Sequence, residues 1–179
     1  MPRLVLIDRD GTINTEQNYL AAPDQIELFP ETAAGIKLLR ELGLKLVVVT
    51  NQSAIGRGLF DEARLAEIHN RLHEILDADG AKIDAVYFCP HLPENNCDCR
   101  KPLTAMARRA AKDFNAELEK SFVIGDNVCD IELGKNIGAV TILVRTGYGA
   151  QTAREQKTIP DYTVENLLEA AHLIEKLLD

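Results

Sequence analysis

Two aspartates leave the first apolar run of the chain together. In LIDRDGT, Asp8 and Asp10 flank a single residue, and Gly11 lets the backbone bend directly after them. Carboxylates held that close repel each other unless a cation or a proton lies between them. A second acidic segment, GDNVCD, places Asp126 straight after another apolar run and Asp130 four residues later. Three carboxylates at the ends of such runs suit a hard, oxygen-liganded cation such as Mg²⁺. Thr50, at the end of KLVVVT, can offer a hydroxyl and a backbone N–H to a phosphate oxygen.

A softer ligand set lies in CPHLPENNCDCRKP, where Cys89, His91, Cys97 and Cys99 form C-x-H-x₅-C-x-C within eleven residues. Three thiols and one imidazole suit tetrahedral Zn²⁺, and four protein ligands leave no open position for a water nucleophile. A structural zinc-binding loop over residues 89–99 is therefore expected. A nucleic-acid-binding ribbon would draw its ligands from two separated knuckles, not from one loop. Arg100 and Lys101 follow at once, and a zinc-fixed backbone would aim both flexible cations at an anion before it arrives.

These residues need a scaffold, and the apolar runs supply one. Residues 3–7, 45–49, 83–88, 121–125 and 140–144 are short, for the most part rich in β-branched residues and lack sustained polar alternation, as in strands buried on both faces. Helical spacing lies between them. It runs through Ala33, Ile36, Leu39 and Leu42 to Gly43, then through Leu65, Ile68, Leu72, Ile75 and Leu76, with Asp61 as N-cap and Gly80 as stop. Further helices are expected at about 103–114, 130–137 and 165–178. Regular alternation predicts one α/β domain over 1–179, Rossmann-like, with a mostly parallel sheet, helices on both faces and no large cap domain. In such sheets ligands bind beyond the carboxyl ends of the strands. DRDGT, TNQS, the cysteine segment, GDNVCD and RTGYG all fall there.

Composition narrows the class further. A formal charge of −8 argues against a phosphate-backbone binder, so no nucleic-acid partner is expected. LVLI is too short for the apolar core of a signal peptide, and no stretch approaches the roughly 18 apolar residues of a membrane span. A cytosolic monomer without a membrane partner is the expectation, and reducing cytosol favours metal-bound cysteines over disulfides. His69 and His73 stand at i, i+4 without the Glu of a zinc-protease motif, so a polar helix face is expected. Cys129 is expected to be a small buried thiol.

Taken together, Asp8 and Asp10 in DRDGT, Thr50 in TNQS, Lys101 in CRKP and Asp126 in GDNVCD resemble the haloacid dehalogenase superfamily of phosphohydrolases in order and spacing. The resemblance implies Mg²⁺ dependence and an aspartyl-phosphate intermediate. Asp8 would be the nucleophile and Asp10 the general acid and base, with Thr50 and Lys101 on the transferred group. The metal would be held by Asp8, Asp10 (through its backbone carbonyl) and Asp126. CPHLP and CDCRKP resemble two groups within the superfamily, the D-glycero-D-manno-heptose 1,7-bisphosphate 7-phosphatases and the histidinol-phosphate phosphatases. The five residues between His91 and Cys97 are typical of the histidinol-phosphate group and resemble some heptose phosphatases, whereas others of that group have a longer loop, so the histidinol-phosphate reading stays open. EQNYL, VVVTNQSAIGRGLF and VRTGYG lean toward the heptose group. That group implies a phosphorylated sugar substrate and a place in heptose supply for lipopolysaccharide core. It also implies substrate contacts from Glu16, Gln17, Asn18, Tyr19, Thr50, Asn51, Gln52, Ser53, Arg100, Lys101 and Asn127. Arg57 and Arg145 are open between phosphate contact and solvated surface charge. A zinc-stabilised binding module without catalysis is the reading of a different class, and the intact set of acidic and basic residues weighs against it.

Overall fold

The computed structural model describes residues 1–178. Its strands are β1 (Leu4–Ile7), β2 (Lys45–Asn51), β3 (Ala85–Cys89), β4 (Phe122–Gly125), β5 (Val140–Val144) and β6 (Tyr162–Val164). They form one sheet in the order β3-β2-β1-β4-β5-β6, with every neighbouring pair parallel. The sheet is thus wholly parallel rather than mostly so, and it has an edge strand, β6, that the sequence reading did not include.

The helices are α1 (Thr32–Glu41), α2 (Ser53–Gly56), α3 (Glu62–Ala78), α4 (Ala105–Phe114), α5 (Val128–Asn136), α6 (Gly149–Glu155) and α7 (Leu167–Leu178). Strand side chains alternate between two cores, as a period of two demands. Val5, Ile7, Leu46, Val48, Ile124 and Ile142 pack with Ile36 of α1, Ile68 and Leu72 of α3 and Ile174 of α7. Leu4, Leu6, Val47, Val49 and Val123 pack on the opposite face with Met106 and Ala110 of α4 and Leu133 of α5. Helices on both faces explain why the inner strands carry no polar side. Asp61 caps α3 by accepting the Arg64 N–H at 2.9 Å.

The chain moves outward from β1 to β3, returns across the sheet to β4 and moves outward again. Connections therefore diverge between β1 and β4, where a crevice opens beyond the strand ends. Among the described residues no helix is long and apolar enough to cross a membrane.

Candidate active site

A cavity of about 410 Å³ opens at that divergence. Each strand from β1 to β5 sends it at least one residue: Asp8 follows β1, Thr50 lies in β2, Lys101 follows β3, Asp126 follows β4 and Tyr148 follows β5.

At its floor Lys101, only 4% exposed, donates to Asp8 Oδ1 at 2.5 Å, to the Val49 carbonyl at 2.7 Å and to Asp130 Oδ1 at 2.7 Å. Burial works against its charge, but Asp130 and Asp8 outweigh burial and hold its pKa above the ordinary lysine value, so it stays an ammonium. Asp8, Asp126 and Asp130 can each bring one oxygen within 4.8 Å of the others. Three carboxylates against one ammonium leave two negative charges uncompensated in a buried site. Burial, aided by Asp130 and outweighing Lys101, pushes Asp8 up to about 7. Burial together with Asp8 and Asp130 pushes Asp126 up to about 9. A divalent cation matches that deficit in charge and in ligand type.

Asp10 differs from its neighbour. Arg9, fully buried, clamps the Asp10 carboxylate through Nη2 at 2.7 and 3.0 Å and through Nε at 3.1 Å. Asn14 and Gln52 donate to the same carboxylate at 2.9 and 3.0 Å. Burial pushes its pKa upward, but the guanidinium and these hydrogen bonds hold it below the ordinary carboxylate value. The Asp10 side chain is absent from the acidic cluster, and Asp130 stands there instead. Arg9 engages the carboxylate of Asp10, whose expected role at the metal is that of its backbone carbonyl, and Asp130 is a carboxylate outside the expected ligand set.

The acidic cluster is backed by main chain. Tyr148 N–H donates to Asp126 Oδ2 at 2.7 Å, and Thr146 Oγ1 donates to the Gly11 carbonyl at 2.6 Å. A Cβ on Gly11 would stand 2.1 Å from Asp126 Oδ2, and one on Gly147 would stand 2.2 Å from the same atom. Both glycines also have positive φ, +85° and +53°. RTGYG therefore serves to seat Asp126. Its Arg145 points elsewhere, pairing with Glu165 at 3.2 Å.

TNQS divides its work by residue. Thr50 Oγ1 accepts from Gln52 Nε2 at 2.9 Å, and that amide also reaches Asp10. Asn51 takes the Lys101 N–H at 2.9 Å and donates to the Lys101 carbonyl at 3.3 Å, tying two segments fifty residues apart. Expected as substrate contacts, Asn51 and Gln52 line the cavity but spend their amides on Lys101 and Asp10. Ser53 and Asn127 line it too.

Over the mouth, Glu16, Asn18 and Tyr19 face the cavity, whereas Gln17 does not. Gln17 turns back to donate to the Gln25 carbonyl at 2.8 Å, which corrects its assignment as a substrate contact. Asn18 and Tyr19 both have positive φ, 41° and 75°, a conformation costly for tyrosine that clusters at functional sites. Arg57 lies outside the cavity with its guanidinium 5.6 Å from the centre of the Tyr19 ring, a cation–π contact. Burial, then Asp10, raises the pKa of Glu16.

Of the unassigned residues, the reading of His69 is corrected and that of Cys129 as no nucleophile agrees with its surroundings. His69 is no polar face: it is 9% exposed and within 3.2 Å of Arg9 Nη1. Cys129 is half-buried at the cavity wall. Burial and Asp130 push its thiol pKa up, which makes it a poor nucleophile.

The cysteine loop hangs from the end of β3. Ligand atoms of Cys89, His91, Cys97 and Cys99 all lie within 4.8 Å of one another, with Cys89 and Cys99 sulfurs 2.7 Å apart and His91 Nδ1 3.2 Å from Cys99. A tetrahedral ion with metal–sulfur bonds of about 2.3 Å spaces its sulfurs about 3.8 Å apart, which the Cys89 and Cys97 sulfurs match at 3.9 Å, while the Cys89 and Cys99 sulfurs stand closer than such an ion would hold them. The three thiols differ: burial raises the pKa of Cys89 and of Cys99, whereas the backbone N–H of Arg100 lowers that of Cys97. Arg100 reaches the cavity rim, its Nη1 3.4 Å from the His91 carbonyl. Residues 92–97 do not line the cavity, so the span between His91 and Cys97 says little about the ligand.

A family model described as "HAD-hyrolase-like" matches residues 98–170. The D-glycero-beta-D-manno-heptose-1,7-bisphosphate 7-phosphatase of Bordetella bronchiseptica is 36% identical over 151 residues, covering 84% of each chain. The enzyme of that name from Pasteurella multocida is 33% identical over 184 residues and 99% of each chain. A crystal structure of D,D-heptose 1,7-bisphosphate phosphatase from B. bronchiseptica, complexed with magnesium and phosphate, superposes with a TM-score of 0.91 at 33% identity. It covers 98% of this chain and 99% of that one.

Proposed function

The chain belongs to the D-glycero-D-manno-heptose-1,7-bisphosphate 7-phosphatase family of HAD-like hydrolases, and we infer that it removes the C7 phosphate of a D-glycero-D-manno-heptose 1,7-bisphosphate to leave the heptose 1-phosphate. One observation carries the mechanism: two neighbouring carboxylates are held in different ways, Asp8 by Lys101 and Asp10 by Arg9. Paired groups in contrasting environments are how one site assigns separate roles to like side chains.

In this reading Asp8 attacks phosphorus in line, an oxygen–phosphorus bond to the aspartate forms and the bond to the sugar oxygen breaks. Asp10 gives that oxygen its proton. It then takes one from the water that cleaves the aspartyl phosphate, which restores it for the next turnover. A phosphate dianion arriving beside Asp10 raises its proton affinity, offsetting the pull of Arg9. Thr50 and Lys101 hold the oxygens of the transferred group. Asp8, Asp126 and Asp130 would hold Mg²⁺, with the Asp10 carbonyl as the resemblance implies. When bound, that ion supplies positive charge to the carboxylates and the phosphoryl oxygens. Glu16, Asn18, Tyr19, Ser53, Arg100 and Asn127 border the remaining space and are assigned to the sugar and its second phosphate.

Turnover decides the substrate. With equal enzyme and Mg²⁺, kcat/KM for the heptose bisphosphate should exceed that for histidinol phosphate by about 100-fold or more, the scale on which a site built for polar groups rejects a poor match. A preference for histidinol phosphate would reverse the assignment.

Zn²⁺ is assigned to Cys89, His91, Cys97 and Cys99 as a structural ion that steadies Arg100 and Lys101. Purified protein should contain about one zinc per chain. Cys99→Ser should lose the zinc, melt at lower temperature and raise KM; a zinc-free protein of full stability would remove the assignment.

A further inference from the structure

The proposed reaction uses Asp10 but leaves unexplained why a histidine and an arginine are buried behind it. Arg9 is fully buried, and its guanidinium has only donors to offer. Nε and Nη2 are committed to Asp10. Nη1 faces His69 Nε2 at 3.2 Å. An arginine cannot accept, so the facing Nε2 must present its lone pair and Nδ1 carries the ring hydrogen. Burial, then Arg9, lowers the His69 pKa to about 3, so the imidazole stays a neutral acceptor. The ring sits in the middle of α3, with Phe88 of β3 6.3 Å from it at an interplanar angle of 57°. Helix α3 thus reaches the catalytic turn through one hydrogen bond.

Resting on the function proposed above, we propose that His69 is a positioning residue: it accepts from Arg9 Nη1 and so fixes the guanidinium in the orientation from which Nε and Nη2 aim the Asp10 carboxylate. An aspartate that must serve the sugar oxygen and then a water needs one fixed direction, since small misplacements of an acid–base group cost rate rather than binding. Arg9 also accepts the N–H groups of Ile13 and Asn14 on its carbonyl at 2.9 and 3.1 Å, so its backbone is already fixed and the side chain is what His69 steadies.

Three variants test it. Gln can place an oxygen near the position of Nε2, Asn stops short of it and Leu fills the space without an acceptor. His69→Leu and His69→Asn should lower kcat by about 10- to 100-fold with KM within about 2-fold, the split expected when only transition-state alignment is lost. His69→Gln should return to within about 3-fold of wild type. Should Leu fail to fold, Gln against Asn carries the same comparison. Wild type and Asp8→Asn run alongside. If wild type turns over, Asp8→Asn does not, and the three His69 variants match wild type or are equally impaired whatever their acceptor, the inference falls while the proposed function stands. If wild type releases no phosphate, both fall.

Discussion

Replacing Asp8 with asparagine should abolish phosphate release, by at least about 10⁴-fold, while leaving the fold as stable as before or more so. The two halves have separate causes. Asparagine has nearly the same shape but no anionic oxygen to attack phosphorus, so the first bond cannot form. The stability half follows from charge. Burial and Asp130 push Asp8 up to about 7, which means that its ionised form is held in the folded chain at a cost. A neutral amide relieves the repulsion with Asp126 and Asp130 that a cation would otherwise offset. Without divalent cation the melting temperature of Asp8→Asn should therefore equal or exceed that of wild type. Residual turnover above about 1% would remove Asp8 as nucleophile. A collapse of the melting temperature would make it a structural residue instead.

Lys101→Met should have the second largest effect, on both activity and stability. Methionine keeps much of the volume but leaves two buried carboxylates and the Val49 carbonyl without their ammonium. Activity should fall about 10²- to 10³-fold, the loss typical of one missing donor to a transferring group. Breaking a buried ion pair from one side costs about 3–5 kcal/mol. That cost should depend on pH in a definite direction. Lys101 opposes burial in setting the Asp8 pKa, so its removal raises that pKa above about 7. The folded variant then keeps a proton that the unfolded chain has released, and it loses stability as the pH rises through the folded pKa. Relative to wild type, the deficit measured by urea unfolding should widen from about pH 6 to about pH 9. An equal deficit at both ends would mean that packing, not charge, is what Lys101 provides.

Much of the site could be read before the fold was known because its residues sit where strands end. Strands buried on both faces announce themselves as apolar runs, and β1, β2, β4 and β5 lie where those runs do. What escaped lacks that signature. β6 is three residues on an exposed edge, and α6 begins at Gly149 with no apolar stripe. His69 was misplaced by its residue type, although its position was informative: it falls four residues after Leu65 and three before Leu72, on the stripe that packs the core. Arg9 was hidden between two aspartates, yet alternation past Val5 and Ile7 points it to the face that carries α3. Gln17 could not be told from its neighbours, since only the turn at Asn18 and Tyr19 decides which side chains face inward.

The sheet order also sets a timetable. β1 is made first but lies between β2 and β4, with Val5 beside Leu46 on one side and Phe122 on the other. At 5–20 residues per second, a ribosome needs roughly 6 to 24 s to pass from Leu4 to Phe122. For that time LVLI has at most one neighbouring strand, and it is the most apolar stretch of the early chain's sheet to be left with an open edge. Asp126 then waits for the Tyr148 N–H that seats it. The acidic cluster is therefore fully seated only after β5 and the turn that follows it have been made.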